Sequence, residues 1–255
     1  MAWDPGQYLK FAGPRLRPAI DLLARIDVED PQTVYDLGAG SGNLTRLMAA
    51  RWPQAHITGV DSSAEMLGKA AADNPEIEWQ QADLATWRPP APADVIYSNA
   101  ALHWIEDHHR LLTELLAALN PGGVLAVQMP RNFSAPSHTS MGEAARQGPW
   151  RSRLEPLLRP SPVAGPDTYF DLLAPRTNTL DIWETEYLQV LEGEHAVREY
   201  TKSTWLHPLL EALDEPERSQ FEARYTALVD AAYPRRPDGK TLFPFRRLFL
   251  VATAP

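Results

Sequence analysis

The chain has 255 residues, no cysteine, 24 prolines and a formal net charge of −9. The lack of cysteine excludes a disulfide framework, a thiolate nucleophile and any cysteine-ligated zinc or iron–sulfur centre within it. Its acidity disfavours a nucleic-acid groove, and no apolar run approaches the roughly 20 residues that span a bilayer. Because the first residues also lack the features of a signal peptide, we expect a cytoplasmic protein that binds neither nucleic acid nor membrane.

Short apolar runs alternate with helical patterns over the first half of the chain, which is typical of βαβ units and a parallel sheet. Helical spacing of leucine and methionine predicts helices after the first, second and fourth of these runs. The predicted strands cover residues 33–37, 56–60, 77–81, 94–98 and 124–129.

The second half of the chain begins differently. Residues 130–175 contain 8 prolines and little continuous periodicity. We therefore predict an irregular, semi-rigid cover or binding loop there. A sixth strand is predicted at 181–190, a helical block at about 195–232 and a last strand at 247–253.

A glycine-rich turn, Asp36-Leu37-Gly38-Ala39-Gly40-Ser41-Gly42, follows the first predicted strand. Its glycines allow a tight turn and the close approach of a ligand. Asp61 ends the second strand, where it can accept hydrogen bonds from both ribose hydroxyls, and Asp83 ends the third, where it and Leu84 can receive an adenine amino group. Each aspartate alone also suits a cap or turn, but three at successive strand ends favour a nucleoside cofactor.

The position of Asp36 bears on which cofactor this is. A dinucleotide site places a pyrophosphate at the helix N-terminus and usually has the spacing G-x-G-x-x-G, whereas this turn has G-x-G-x-G. A carboxylate before the glycines repels a pyrophosphate and suits a cation. We therefore expect S-adenosyl-L-methionine, with its sulfonium and ammonium groups, as cofactor and S-adenosyl-L-homocysteine as product. A dehydrogenase or a non-catalytic nucleotide-binding protein is the alternative from another class.

Three segments resemble motifs of the class I S-adenosylmethionine-dependent methyltransferases, and the similarity to carboxylate-methylating members extends over almost the whole chain. The segments are 36–42, Gly59-Val60-Asp61-Ser62 and Gln81-Ala82-Asp83-Leu84. The resemblance implies an α/β fold with a Rossmann-like seven-stranded, mostly parallel sheet, helices on both faces and an antiparallel last strand. It implies one domain over residues 1–255, with a cofactor-covering segment at 1–30, a cofactor-binding core at 31–130, a proline-rich cover at 131–175 and a helical cap inserted at 191–240.

The resemblance also implies roles for individual residues. Met66 would pack on the adenine, Asn99 and Ala100 would lie beside the sulfonium, and Tyr8 would close over the cofactor. The full implied cofactor set is Tyr8, Asp36, Gly38, Gly40, Asn43, Asp61, Ser62, Met66, Asp83, Leu84, Asn99 and Ala100.

The implied reaction forms a methyl ester on a small polycarboxylate such as trans-aconitate. An ionised carboxylate needs no general base, so catalysis requires proximity, alignment and exclusion of water. Arginine binds carboxylates best, and 20 of the 24 basic residues are arginine. Candidate acceptor-binding residues are Arg15, Arg17, Trp104, Gln128, Asn132, His207, Arg246 and Arg247.

Departures from the family pattern lie on the acceptor side. The glutamine expected before Trp104 is His103, an expected arginine is His207, and Arg246 replaces a proline. His103 follows the fourth strand, where a general base would lie in hydroxyl methyltransferases. This leaves open a less charged small molecule as acceptor with His103 as catalytic base, or a structural role for His103. Without cysteine or a histidine pair at ligand spacing, we expect no metal.

Overall fold

The computed structural model describes residues 16–202 and 205–255. Its strands are β1 (Thr33–Leu37), β2 (His56–Asp61), β3 (Glu78–Gln81), β4 (Ala93–Asn99), β5 (Leu119–Pro130), β6 (Thr179–Glu192) and β7 (Lys240–Thr253). They form one sheet in the order β3-β2-β1-β4-β5-β7-β6. The first five strands pair in parallel, and β7 runs antiparallel to β5. The predicted seven-stranded, mostly parallel sheet with an antiparallel last strand is therefore confirmed.

Helices connect most of the successive strands, and the four helices of the first half pack against the sheet. The helices of the first half are α1 (Arg17–Leu23), α2 (Asn43–Arg51), α3 (Ala64–Asp73) and α4 (His108–Ala117). Those of the second half are α5 (Pro136–Arg146), α6 (Arg151–Leu154), α7 (Pro166–Leu173), α8 (Ala196–Lys202), α9 (His207–Glu211) and α10 (Glu217–Ala232). Short 3-10 turns cover Leu102–Trp104, Glu155–Leu157 and Ala174–Arg176. In the described part of the chain, no helix is both long and apolar enough to cross a membrane.

The proline-rich stretch is helical rather than irregular, so that part of the sequence-based prediction is wrong. It contains α5, α6 and α7. Pro136 and Pro166 each open a helix. The first helical position tolerates proline because its N–H has no partner within the helix in any case. The prolines therefore start helices here, and the role of residues 131–175 as a cover stays a prediction.

The last strand, β7, is longer than the predicted range 247–253. The prediction is too short because the first half of β7 contains a proline. Thr241, Phe243 and Phe245 are buried and alternate with more exposed neighbours, which is the strand period. Pro244 interrupts this run, and a proline within a run argues against a strand.

The described chain divides into two compact units. The first runs to Pro130 and includes Val163–Thr185 and Arg247–Pro255, and the second comprises Arg131–Pro162 and Glu186–Arg246. The second unit has its own apolar core, in which Phe221, Tyr225 and Phe243 are fully buried. It therefore groups the start of the predicted cover with the predicted helical cap.

Replacing Gly38 by alanine tests how tightly the turn after β1 is built. Gly38 has φ +81°, and a Cβ there would lie 2.2 Å from Ala101 Cβ. We expect Gly38→Ala to lower the free energy of unfolding in urea by about 2 kcal/mol or more, because the left-handed backbone and the clash add together. The control is Gly68→Ala at an exposed position of α3, where the new Cβ meets nothing within 4 Å. It should raise stability by about 0.5–1 kcal/mol. Equal effects of the two changes would contradict this account.

Candidate active site

The carboxylate of Asp61, at the end of β2, links the glycine turn to the start of α3. Gly40 N donates to its Oδ2 and Ser63 N to its Oδ1, both at 2.9 Å. Gly38 N donates to Val60 O at 2.8 Å, so the turn is held at two points along the end of β2. A carboxylate offers about four lone-pair sites. Asp61 therefore keeps acceptor capacity for a ligand after holding the turn.

Asp36 is buried, with 2% of its surface exposed, and it lies in β1 just before the glycines of the turn. Thr45 Oγ1, in α2, donates to Asp36 Oδ2 at 2.7 Å. Burial raises the pKa of Asp36 from 3.8 to about 7; the Thr45 hydrogen bond opposes this rise and the Asp61 charge adds to it. A bound cation would favour the charged carboxylate, so the residue fits the ammonium of an amino-acid ligand.

The other residues of the predicted cofactor set have local contacts that differ from one to the next. The Met66 side chain is 37% exposed, and its methyl group lies 3.6 Å from where a Cβ on Gly40 would be, so it covers the turn with apolar surface. Asp83 Oδ1 accepts from Ala85 N at 2.9 Å, which gives this aspartate a turn-forming role as well. Asn43 opens α2 and donates to Ser41 Oγ at 3.2 Å, and Ser62 O accepts from Gln81 Nε2 at the same distance.

The end of β4 contributes an unusual backbone conformation. Ala100 has φ +55°, in the left-handed region that non-glycine residues rarely adopt, and its N–H donates to Gln128 O at 2.9 Å. Such conformations concentrate at functional sites. Asn99 lies opposite Gln128 in the β4–β5 register. Its Oδ1 is buried and has no hydrogen-bond partner in the described part of the chain.

A buried arginine–glutamine pair lies near the end of β5, where Arg247, in the middle of β7, is paired with Pro130. Arg247 is 7% exposed, and its Nη1 donates to Gln128 Oε1 at 3.2 Å. Because arginine has only donors, Gln128 must present its oxygen to it. The Gln128 amide nitrogen is therefore left over, and it is buried without a hydrogen-bond partner among the described residues.

His103 lies in the 3-10 turn after β4, and this turn contacts β5. It is 4% exposed, and its ring centroid is 4.7 Å from that of Trp104, which is 53% exposed. Burial, then the charges of Arg247 and His108, lower the pKa of His103 to about 3. The ring is therefore neutral at physiological pH and a weak base.

The structure places the remaining acceptor candidates as follows. Arg17 is exposed in α1, with its Nε 3.9 Å from Asp21 Oδ2. Asn132, His207 and Arg246 belong to the second unit. There, Arg246 N donates to Asn132 Oδ1 at 3.2 Å, while His207 Nε2 is 3.3 Å from Glu211 Oε1. Tyr8 and Arg15 lie outside the described residues.

Two contributors to the site are absent from the sequence-based set. Thr45 is the hydrogen-bond partner of Asp36. Its sequence signal is a threonine on the inner face of α2, nine residues after the aspartate. Trp79, in β3, fills the space beside Gly42 and Gly59, where an added Cβ would lie 2.5 and 2.4 Å from its ring. In the sequence, the only signal for this role is a large aromatic side chain in a short predicted strand.

The strand order, the glycine turn and the carboxylates at successive strand ends define a class I S-adenosylmethionine-dependent methyltransferase. The family described as a methyltransferase domain matches residues 34–123. Among solved structures, YcgJ from Bacillus subtilis (TM-score 0.57) and a putative methyltransferase from Bacillus halodurans C-125 (TM-score 0.59) share the fold. Each is 14% identical and is matched over 92% of this chain and 97% of its own.

Two relatives named trans-aconitate 2-methyltransferase match almost end to end. The protein from Azoarcus sp. (strain BH72) is 52% identical over 250 residues, and that from Rhodopseudomonas palustris (strain BisB18) is 47% identical over 251 residues. Each alignment covers 98% of both chains. The chain therefore belongs to the trans-aconitate 2-methyltransferase family.

Replacing Asp36 by asparagine tests its buried, protonated state in the ligand-free protein. A folded pKa raised from 3.8 to about 7 means that folding favours the protonated carboxyl. This contribution is complete below about pH 4 and is lost as the pH rises through 7. Asp36→Asn should therefore be more stable than the wild type at pH 8, by up to about 4 kcal/mol (three pKa units at 1.36 kcal/mol each), with little difference near pH 4.

Urea unfolding at both pH values measures this difference. Asp73→Asn, at the exposed end of α3, is the matched control, and its difference from the wild type should not change between the two pH values. The same pH dependence for wild type and Asp36→Asn would show that the folded protein keeps Asp36 charged.

Proposed function

We propose that the chain transfers the methyl group of S-adenosylmethionine to a carboxylate of trans-aconitate, or of a closely similar small polycarboxylate, and forms a methyl ester. Relatives carrying that substrate in their names are 43–52% identical over 98% of their own length. Within the site, the observation that carries the proposal is the buried pair of Arg247 and Gln128. A fixed cation beside an amide donor is suited to a carboxylate.

We further propose that the strand-end residues hold the cofactor, which supplies an electrophilic methyl group on sulfur when bound. Asp36 suits the ammonium group, and Gly38 and Gly40 allow the close approach of the amino-acid part. Asp61 keeps acceptor capacity for the ribose, while Met66 offers an apolar surface for the adenine. The proposed set is Asp36, Gly38, Gly40, Asn43, Asp61, Ser62, Met66, Asp83, Leu84, Asn99 and Ala100, with Tyr8 predicted to cover it.

On the acceptor side, the residues need only bind and orient an anion. A carboxylic acid is ionised at pH 7, so its oxygen is nucleophilic without loss of a proton. Arg247 and Gln128 bind a carboxylate in a buried environment, where these interactions are stronger than in water. Trp104, which lies beside His103, is the third residue of the first unit that we propose to contact the acceptor. The acceptor roles of Arg15, Arg17, Asn132, His207 and Arg246 stay predictions.

The alternative acceptor, a hydroxyl group deprotonated by His103, has less support. A general base works best when its pKa is near the working pH. The pKa of His103 is lowered to about 3 by burial, Arg247 and His108. An imidazole in this environment is a poor acceptor for a hydroxyl proton, whereas a carboxylate has no proton to lose.

The test is methyl transfer from methyl-labelled S-adenosylmethionine to trans-aconitate, with the ester product identified by mass. We expect the wild type to form the ester. Arg247→Gln should lower kcat/KM by about 10- to 150-fold, because a hydrogen bond to a charged group contributes about 1.5–3 kcal/mol. Its affinity for S-adenosylhomocysteine should stay within a few-fold of the wild type.

Arg110→Gln is the matched control, since Arg110 is exposed in α4 and pairs with Asp107 and Glu114. It should leave turnover unchanged. No ester from trans-aconitate would refute the proposed substrate, and wild-type kcat/KM in Arg247→Gln would refute the role of Arg247.

A further inference from the structure

His103 is a buried polar residue for which the transfer reaction itself provides no role. It is 4% exposed, and its Nδ1 is buried without a hydrogen-bond partner in the described part of the chain. Native proteins rarely leave buried polar atoms unpaired, and the exceptions call for an explanation. A ligand that supplies the missing partner is one such explanation.

The surroundings of His103 limit what that ligand can be. Burial lowers the pKa of His103 most, and the charges of Arg247 and His108 lower it further. Because the ring is neutral, one of its nitrogens carries a hydrogen and the other does not. His103 can therefore donate a hydrogen bond without adding a second positive charge beside Arg247.

A second donor lies on β5, the strand that the 3-10 turn containing His103 contacts. Gln128 turns its oxygen to Arg247, and its amide nitrogen is buried without a hydrogen-bond partner among the described residues. The four lone-pair sites of a carboxylate can accept from all three of these groups, the one cation and the two neutral donors. A neutral hydroxyl group has two lone pairs and would leave donors unpaired, which is how a polar site rejects the wrong ligand.

We infer that His103 donates a hydrogen bond from Nδ1 to the acceptor carboxylate, and that it thereby determines specificity for carboxylates instead of acting as a general base. This inference rests on the proposed function. His103 and Gln128 supply neutral donors, and Arg247 supplies the charge. The acceptor is then oriented by three side chains, from the 3-10 turn after β4, from β5 and from β7.

Two substitutions at His103 separate a donor from a base. Glutamine provides an N–H donor but cannot act as an imidazole base, whereas leucine provides neither. For trans-aconitate, we expect His103→Leu to raise KM at least tenfold and His103→Gln to raise it only a few-fold, with kcat less affected than KM in both. If His103 were a base, both variants would lose kcat about 100-fold or more with little change in KM, and that result would overturn the inference.

A second readout does not depend on turnover. The ring nitrogens of His103, observed by ¹H–¹⁵N NMR on the complex with S-adenosylhomocysteine, should show a neutral imidazole. Addition of trans-aconitate should slow the exchange of the Nδ1 proton and shift its resonance downfield. An unprotonated Nδ1, or no response to trans-aconitate, would overturn the inference.

The control is His56→Gln, because His56 is exposed at the start of β2, where its Nε2 is 2.7 Å from Glu78 Oε2. It should leave both kinetic constants unchanged. A wild type that forms no ester from trans-aconitate would refute the proposed function, and with it this inference. A wild type that forms the ester while His103→Leu keeps the wild-type KM would refute the inference alone.

Discussion

The carboxylate of Asp61 is the interaction on which the cofactor side of this structure depends. It accepts one backbone N–H from the glycine turn and one from the start of α3. Parallel strands end at the same edge of a sheet, so the turn after β1 and the helix after β2 meet at this carboxylate. The glycine turn lies beside Asp36 and is covered by Met66. The position of the turn therefore fixes the space available to a ligand.

The same sheet edge separates opposite charges for opposite ligands. Asp36 and Asp61 lie at the ends of β1 and β2, whereas Arg247, in β7, is buried beside Gln128 near the end of β5. Carboxylates suit the cationic cofactor, and the guanidinium suits an anionic acceptor. We therefore propose that the cofactor binds at one half of this edge and the acceptor at the other.

The sequence predicts the parts of this site that depend on strand ends, and misses those that depend on burial and long-range pairing. Asp36, Asp61 and Asp83 follow from apolar runs that stop at an acid. The Thr45–Asp36 bond and the neutral ring of His103 depend on packing that no local pattern reveals. Prolines are a poor guide to the elements of this chain. Pro136 and Pro166 start helices in a stretch predicted to be irregular, and Pro244 lies within a strand predicted to begin after it.

The most direct test of the account is the affinity of Asp61→Ala for S-adenosylhomocysteine, measured by calorimetry against wild type and the exposed control Asp73→Ala. Loss of the carboxylate leaves its donors unpaired at a cost of about 1–3 kcal/mol. The account predicts binding weakened by about 5- to 150-fold in Asp61→Ala and wild-type affinity in Asp73→Ala. Unchanged affinity in Asp61→Ala would contradict it.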